Sequence, residues 1–224
     1  MNVYAIVPAR GGSKGIPRKN VKLFKGKPLI AHTIEQAKAS GAFGKIIVST
    51  DDKEIAQVAE QYGAAVLMRP SELAGDLSRD YEFMKHAAEH YAECDVWCQL
   101  RPTFPLRTAE NIQQALEKFD PSYSSLRSVV EMDHSVYKTY FEANGVLSPV
   151  VQHPNIQESF NAPRQVLPKS YQHNGCIDIT KKKTIFEEQS ITGSRIQAFI
   201  MTANGDIDTM EQWKTAENTY LKPL

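Results

Sequence analysis

The feature that most limits what this chain can fold into is its alternation of short apolar runs with amphipathic ones. Val3 to Val7, Ile46 to Ser49, Ala65 to Met68, Val96 to Leu100 and Leu126 to Glu131 are compact, strand-length runs that end in polar loops. Helical patterns lie between them. Leu29, Ile30, Ile34 and Ala37 recur at helical spacing with Gly41 as a stop; Lys53 to Tyr62, Tyr81 to Tyr91 and Thr108 to Phe119 follow. Strands separated by helices imply parallel pairing through right-handed crossovers. The chain therefore predicts an α/β fold: a mostly parallel central sheet flanked by helices, Rossmann-like, with ligands at the carboxyl ends of the strands. Cys176 to Ile179 and Ile196 to Met201 read as later strands, and Thr209 to Leu221 as a closing helix.

A chain of 224 residues supports one sizeable core, so residues 1–224 are expected to form a single domain. The stretch 135–170 breaks the rhythm with Pro149, Pro154, Pro163 and Pro168 among Tyr137, Tyr140, Phe141 and Phe160. An excursion of that length in a compact enzyme usually has a purpose, and a small protruding lobe used for dimerisation is expected there, giving a homodimer.

Lys+Arg and Asp+Glu both number 26, so the net charge is zero and no global field draws in nucleic acid or an anionic membrane. No apolar run approaches spanning length, and the start MNVYAIVPARGG lacks the basic segment of a signal peptide. Neither nucleic acid nor membrane is an expected partner. Cys94, Cys98 and Cys176 are an odd set without a second pair to suggest zinc, which fits reduced, structural thiols in a cytoplasmic protein.

With no global field, phosphate binding has to be local, and one segment is built for it. After the first strand comes PARGGSKGIPRKN. Gly11, Gly12 and Gly15 permit close backbone approach, so that successive N–H groups converge on one anion. Arg10, Lys14, Arg18 and Lys19 add cations, and Ser13 a hydroxyl donor. Converging amides plus several cations are what a triphosphate needs. The loop fits neither GxxxxGK[ST] nor GxGxxG, which disfavours a dinucleotide cofactor.

Near the other end, Asp206 and Asp208 lie two apart in GDIDT. In an extended segment both point to one face, where two carboxylates can share a hard cation. Mg²⁺ suits such a pair, with phosphate and water filling its other positions. The competing role is a helix N-cap, supplied by Asp208 or Thr209.

These segments carry a resemblance. PARGGSKGIPRKN is similar to the signature loop of the acylneuraminate cytidylyltransferases, the CMP-sialic acid synthetase family. RPSELAGD (69–76), RPTFPLRT (101–108), APRQVLP followed by YQHNGCIDI, and GDIDTMEQWKTAEN resemble that family's further motifs in the same order. The resemblance implies a nucleotidyltransferase that joins CTP to an acidic, nonulosonic or sialic-type sugar, giving a CMP-sugar and pyrophosphate. It implies that Arg10, Gly11, Gly12, Ser13, Lys14, Lys19 and Asn20 hold the nucleotide, that Arg69 approaches the pyrimidine with Ser78 nearby, and that Asp206 and Asp208 surround the metal. Arg164, Gln165 and Asn174 are the candidates for the acceptor side, and Lys138 is expected, apart from the resemblance, to reach an active site across a dimer.

The chain departs from the family pattern at three positions. Arg101 stands where a Gln is common, and Asp178 where an aromatic residue is common; Phe104 replaces a small residue. Arg adds a bidentate anion binder, and Asp178 is placed to pair with it, so both are assigned to the acceptor. No general base stands out among His134, His153 and His173. Two other readings remain open: a transferase acting on a sugar 1-phosphate with another nucleoside triphosphate, and a catalytically silent nucleotide-binding module.

Overall fold

The computed structural model describes residues 1–202 and 205–220, which form two units. The first comprises Met1–Ser128, Asn174–Phe199 and the residues from 205 onward; the second is Val129–His173 with residues 200–202. The expected end of the closing helix, Leu221, lies outside the described residues.

Element order runs β1 (Val3–Pro8), a minimal pair β2 (Leu23–Phe24) and β3 (Lys27–Pro28), α1 (Leu29–Ser40), β4 (Lys45–Thr50), α2 (Lys53–Gln61), β5 (Ala65–Met68), α3 (Asp80–His90), β6 (Val96–Gln99), α4 (Ala109–Lys118) and β7 (Ser125–Glu131). Then come a hairpin of β8 (Tyr140–Ala143) and β9 (Val146–Pro149), β10 (Tyr171–Lys181), α5 (Lys182–Glu187), β11 (Ile196–Met201) and α6 (Met210–Thr219). The main sheet has the order β11-β7-β10-β6-β1-β4-β5. β1 pairs parallel with both β4 and β6, and β4 pairs parallel with β5.

The sheet departs from parallel pairing at β10, which runs antiparallel to β6, with Asp178 opposite Gln99 and Ile179 opposite Cys98. A parallel neighbour needs a crossover, usually a helix, to return the chain to the amino edge. The stretch before β10 holds a hairpin and short 3-10 turns instead. Three features were not legible: the minimal β2–β3 pair, the β8–β9 hairpin, whose strands are exposed along most of their length, and the short helix α5.

Local chemistry sets the helix ends. Gly41 closes α1 at φ 62°, a left-handed conformation that glycine adopts without strain. Asp52 caps α2 by accepting from the Glu54 and Ile55 amides, and Thr108 caps α4 by accepting from Asn111. One core cluster packs Tyr4, Ile6, Ile47, Trp97 and Met84 between sheet and helix. A second matters more for the site: Ile16 from the glycine loop and Ile207 from the acidic segment are buried together with Phe24, Leu29 and Trp213. Burying such side chains contributes about 1.5–3 kcal/mol each. That cluster ties the cationic loop to the carboxylates.

All three cysteines are buried free thiols, and burial pushes Cys94 and Cys176 up to about 12. They are inert packing groups at neutral pH. Among the described residues, no helix is long and apolar enough to cross a membrane.

Candidate active site

After β1 the chain builds β4 and β5 on one side, then returns to build β6 on the other. Loops leaving β1 and β6 therefore diverge, and a crevice opens at the carboxyl ends where the order reverses. A cleft of about 380 Å³ lies there, lined by the loops after β1, β5 and β6 and by Asp208.

The glycine loop supplies its cationic wall. Arg10, Ser13, Lys14, Gly15, Lys19 and Asn20 all line the cleft; Gly11 and Gly12 do not. The Gly11 amide donates to Asp51 Oδ1 at 2.9 Å, and a Cβ there would meet the Asp52 carboxylate, so this glycine serves close packing. A Cβ on Gly15 would collide with the Asp208 carbonyl, so its absence lets the loop lie directly against the acidic segment. Asn20 is buried and donates to the Arg10 carbonyl at 3.0 Å, which fixes the curl of the loop.

Every loop cation has a carboxylate partner. Arg10 and Lys14 both reach Asp76, at 3.0 and 2.8 Å. Lys19 is only 12% exposed and donates to Asp208 Oδ1 at 2.9 Å and to the Ile207 carbonyl at 2.7 Å. Arg18 takes no part in the cleft. At φ 54° it turns outward and binds Asp52 through two nitrogens, with Glu54 as a further partner.

That guanidinium holds the Asp52 carboxyl down to about 2 from an ordinary 3.8, and the Ile55 and Glu54 amides assist. A depressed carboxyl contributes stability that is complete above its unfolded value and is lost as pH falls toward its folded one. Wild-type protein is expected to lose part of its unfolding free energy as pH falls from 3.8 to about 2. Asp52→Asn should flatten that part of the acid limb in denaturant titrations; an unchanged limb would sink the attribution.

Asp206 and Asp208 are neighbours, and the capping role falls to neither. Thr209 caps α6 by accepting from Gln212, while the Asp208 amide donates to Gln212 Oε1. Both carboxylates are thus spared from capping. Burial first, then the Asp208 charge, pushes the Asp206 carboxyl above its ordinary value, while Thr103, Lys19 and Arg101 pull the other way. Its Oδ1 is buried and has no hydrogen-bond partner among the described residues. Adjacent carboxylates, one with an orphaned oxygen, fit a hard divalent cation. Among the described residues they are not joined by a third His, Cys, Asp or Glu in a metal-binding group.

Arg69 is buried rather than paired at the surface with Glu72 or Asp76. Its Nε and Nη2 donate to Ser49 Oγ at 3.2 Å and to the Ser49 carbonyl at 3.0 Å, and its guanidinium lies over the Phe83 ring at 4.7 Å. Ser78 lines the same wall and donates to the Glu72 carbonyl.

On the acceptor side the expected partners change. Arg101 lines the cleft, but its close partner is Asp80; Asp178 stands at 4.0 Å. Asp178 is nearly buried and is held by Arg127 Nε at 2.9 Å. Gln99 also donates to Asp80, at 3.0 Å. Asp80, Gln99 and Arg127 were missed. The available signal was a lone charge in the buried run Leu126 to Val130, which needs a partner inside the fold. Gly175, at φ 68°, keeps its backbone close to Arg101, where a Cβ would lie 3.2 Å from Cδ.

Asn174 is buried and accepts from Ser128 Oγ and the Cys176 amide, so it braces β10. Arg164 and Gln165 belong to the second unit and line a cleft of about 330 Å³ within it, beside Glu131 and Lys169. Lys138, also in that unit, donates to the Phe160 carbonyl at 3.5 Å.

A family profile described as Cytidylyltransferase matches residues 4–220. The chain is 35% identical over 230 residues to a pseudaminic acid cytidylyltransferase of Campylobacter jejuni, covering 98% of this chain and 97% of that one. It is 34% identical over 228 residues to a CMP-N,N'-diacetyllegionaminic acid synthase of Legionella pneumophila, covering 97% and 95%. An N-acylneuraminate cytidylyltransferase of Escherichia coli is 32% identical over 92% of this chain, which spans 48% of that longer protein. Among solved structures, a CMP:2-keto-3-deoxy-manno-octonic acid synthetase complexed with CTP superposes with TM-score 0.74 at 17% identity, covering 98% of each chain. That likeness speaks to the fold.

Proposed function

The chain belongs to the cytidylyltransferase family, and from that premise we propose that it joins CTP to an acidic sugar of the nonulosonic type, releasing pyrophosphate. One observation carries this reading. A cleft at the sheet's switch point is lined by Arg10, Lys14, Lys19 and Asp208; Lys19 is paired with Asp208, and Asp206, two residues before it and just behind the lining, keeps one carboxylate oxygen orphaned.

In the reaction the sugar's anomeric hydroxyl attacks the α-phosphorus, a P–O bond forms, and the bond to the β-phosphate oxygen breaks. Such transfers depend on positioning and charge neutralisation. Arg10 and Lys14 exchange Asp76 for the triphosphate. Lys19, anchored on the Ile207 carbonyl, keeps its charge in place without reorganisation. Asp206 and Asp208 would hold a divalent cation, Mg²⁺ in this reading, which supplies further neutralisation of phosphate charge. Arg101 stands where an acidic acceptor needs a cation. Arg164 and Gln165 are kept as acceptor-side candidates from the second unit.

We place the contact of a homodimer on that unit, whose β8–β9 hairpin leaves Phe141, Val146 and Leu147 between 61 and 64% exposed. A cytoplasmic setting agrees with the free buried thiols.

The test is pyrophosphate release from each of four nucleoside triphosphates with Mg²⁺, against neuraminate, legionaminate, pseudaminate and 3-deoxy-octulosonate. Release is expected from CTP with one or more of these acids. A preference for UTP or GTP with a sugar 1-phosphate would replace the reading; CTP binding without turnover on any acid would favour a silent module.

A further inference from the structure

Asp80 occupies the first position of α3, in the wall of the cleft that also carries Arg69, Ser78 and Phe83. Both side-chain bonds it accepts land on one oxygen: Gln99 Nε2, at 3.0 Å, and Arg101 Nη2 each reach Oδ2. Oδ1 accepts no side-chain bond among the described residues, and the side chain is 30% exposed, so a ligand in the cleft can reach it. Two donors on one oxygen fix the carboxylate plane and leave the other oxygen as a preset acceptor.

A carboxylate oxygen only accepts hydrogen bonds. It cannot serve the triphosphate, whose oxygens repel it, and so requires an N–H or O–H from the ligand. Its surroundings narrow the choice. The Arg69 guanidinium, fixed on Ser49 and lying over Phe83, makes a flat surface on which a planar heterocycle packs. The Asp80 charge acts on Arg69, which marks the two as neighbours. Lys14, Lys19 and Asp208 belong to the loops that take phosphate and metal. A nucleotide whose phosphates lie on those loops turns its base to the Arg69–Phe83 wall, beside Asp80.

We propose that Asp80 selects the base: Oδ1 accepts from the exocyclic amino group of cytosine and meets uracil O4 as a second, repelling acceptor. A carboxylate reads the amino group at position 4 of cytosine and cannot read a carbonyl there. The proposal rests on the nucleotide reading above and adds a residue that decides between cytidine and uridine. Arg101 and Gln99 act through it as positioning residues.

The experiment is equilibrium binding of CTP and of UTP, each with Mg²⁺ and without acceptor, to wild type, Asp80→Asn, Asp80→Ser and Arg101→Gln. An asparagine amide can turn its carbonyl to an amino group or its NH₂ to O4. The ratio Kd(UTP)/Kd(CTP) is therefore expected to fall at least about tenfold in Asp80→Asn, and also in Asp80→Ser. Arg101→Gln, which removes one of the two donors that orient the carboxylate, should lower the ratio by less than either Asp80 variant, because Gln99 still holds Oδ2. Loss of fold or of general affinity weakens both nucleotides alike and cancels in the ratio. An unchanged ratio in the two Asp80 variants overturns the proposal, as does a ratio that falls further in Arg101→Gln than in either of them. Wild-type protein that binds UTP as well as CTP overturns the cytidine reading itself, and shows this before any variant is made.

Discussion

Lys14→Ala and Lys19→Ala are each expected to lower turnover on the order of a hundredfold or more, because removal of one fixed donor to developing charge typically costs about 3–4 kcal/mol. The two variants should differ in everything else. Lys14 is 73% exposed and its partner is Asp76 on a neighbouring loop, so the fold has little to lose. Its melting temperature should stay near the wild-type value while pyrophosphate release falls. Lys19 is nearly buried and joins the Ile207 carbonyl to Asp208, so its loss leaves a buried acceptor unpaired and loosens the acidic segment. That variant should melt lower as well as turn over slowly. Unchanged pyrophosphate release in Lys14→Ala would remove the triphosphate role from the loop.

What was legible in the sequence divides along a physical line. Strands β1, β4 and β5 and helices α1, α2 and α4 were readable because each carries its own signal: a compact apolar run, a 3.6-residue period, a cap. Gly41 and Thr108 stand out as punctuation in the chain of letters itself. The cations of the glycine loop stood out for the same reason, being packed into consecutive residues; Arg10, Lys14 and Lys19 line the cleft, whereas Gly11 and Gly12 do not. Direction was less so. Nothing in YQHNGCIDI says that β10 enters reversed, because that depends on the connection before it.

The acceptor side of the cleft shows the same limit at the level of single residues. Arg101 and Asp178 stood out singly, and pairing them was the economical guess. The antiparallel register instead sets Asp178 beside Gln99, and β7 brings Arg127 within 2.9 Å of Asp178, while α3 presents Asp80 to Arg101. Four elements, α3, β6, β7 and β10, build that network, so spacing along the chain holds no record of it. Separations of this kind follow from the order of the strands in the sheet.

Loss of either carboxylate in the acidic pair should be the most damaging change of all. Asp206→Asn and Asp208→Asn are each expected to cut turnover on the order of a thousandfold, given the several kcal/mol a bound cation supplies to phosphoryl charge. Their stabilities should separate. Asp206 holds a carboxylate that burial disfavours, with Oδ1 unpartnered among the described residues, and a neutral amide of the same shape relieves that cost. Asp206→Asn should therefore melt no lower than wild type while losing activity, a trade between stability and function. Asp208→Asn gives up only an exposed ion pair with Lys19 and should melt slightly lower. A second readout needs no turnover: Mg²⁺ should raise the melting temperature of the wild type, since a ligand bound only by the folded state stabilises it, and should fail to do so in either variant. An Asp206→Asn protein that kept both its activity and its Mg²⁺ shift would show that the orphaned oxygen is not a metal ligand, and the cation would then have to be held without it.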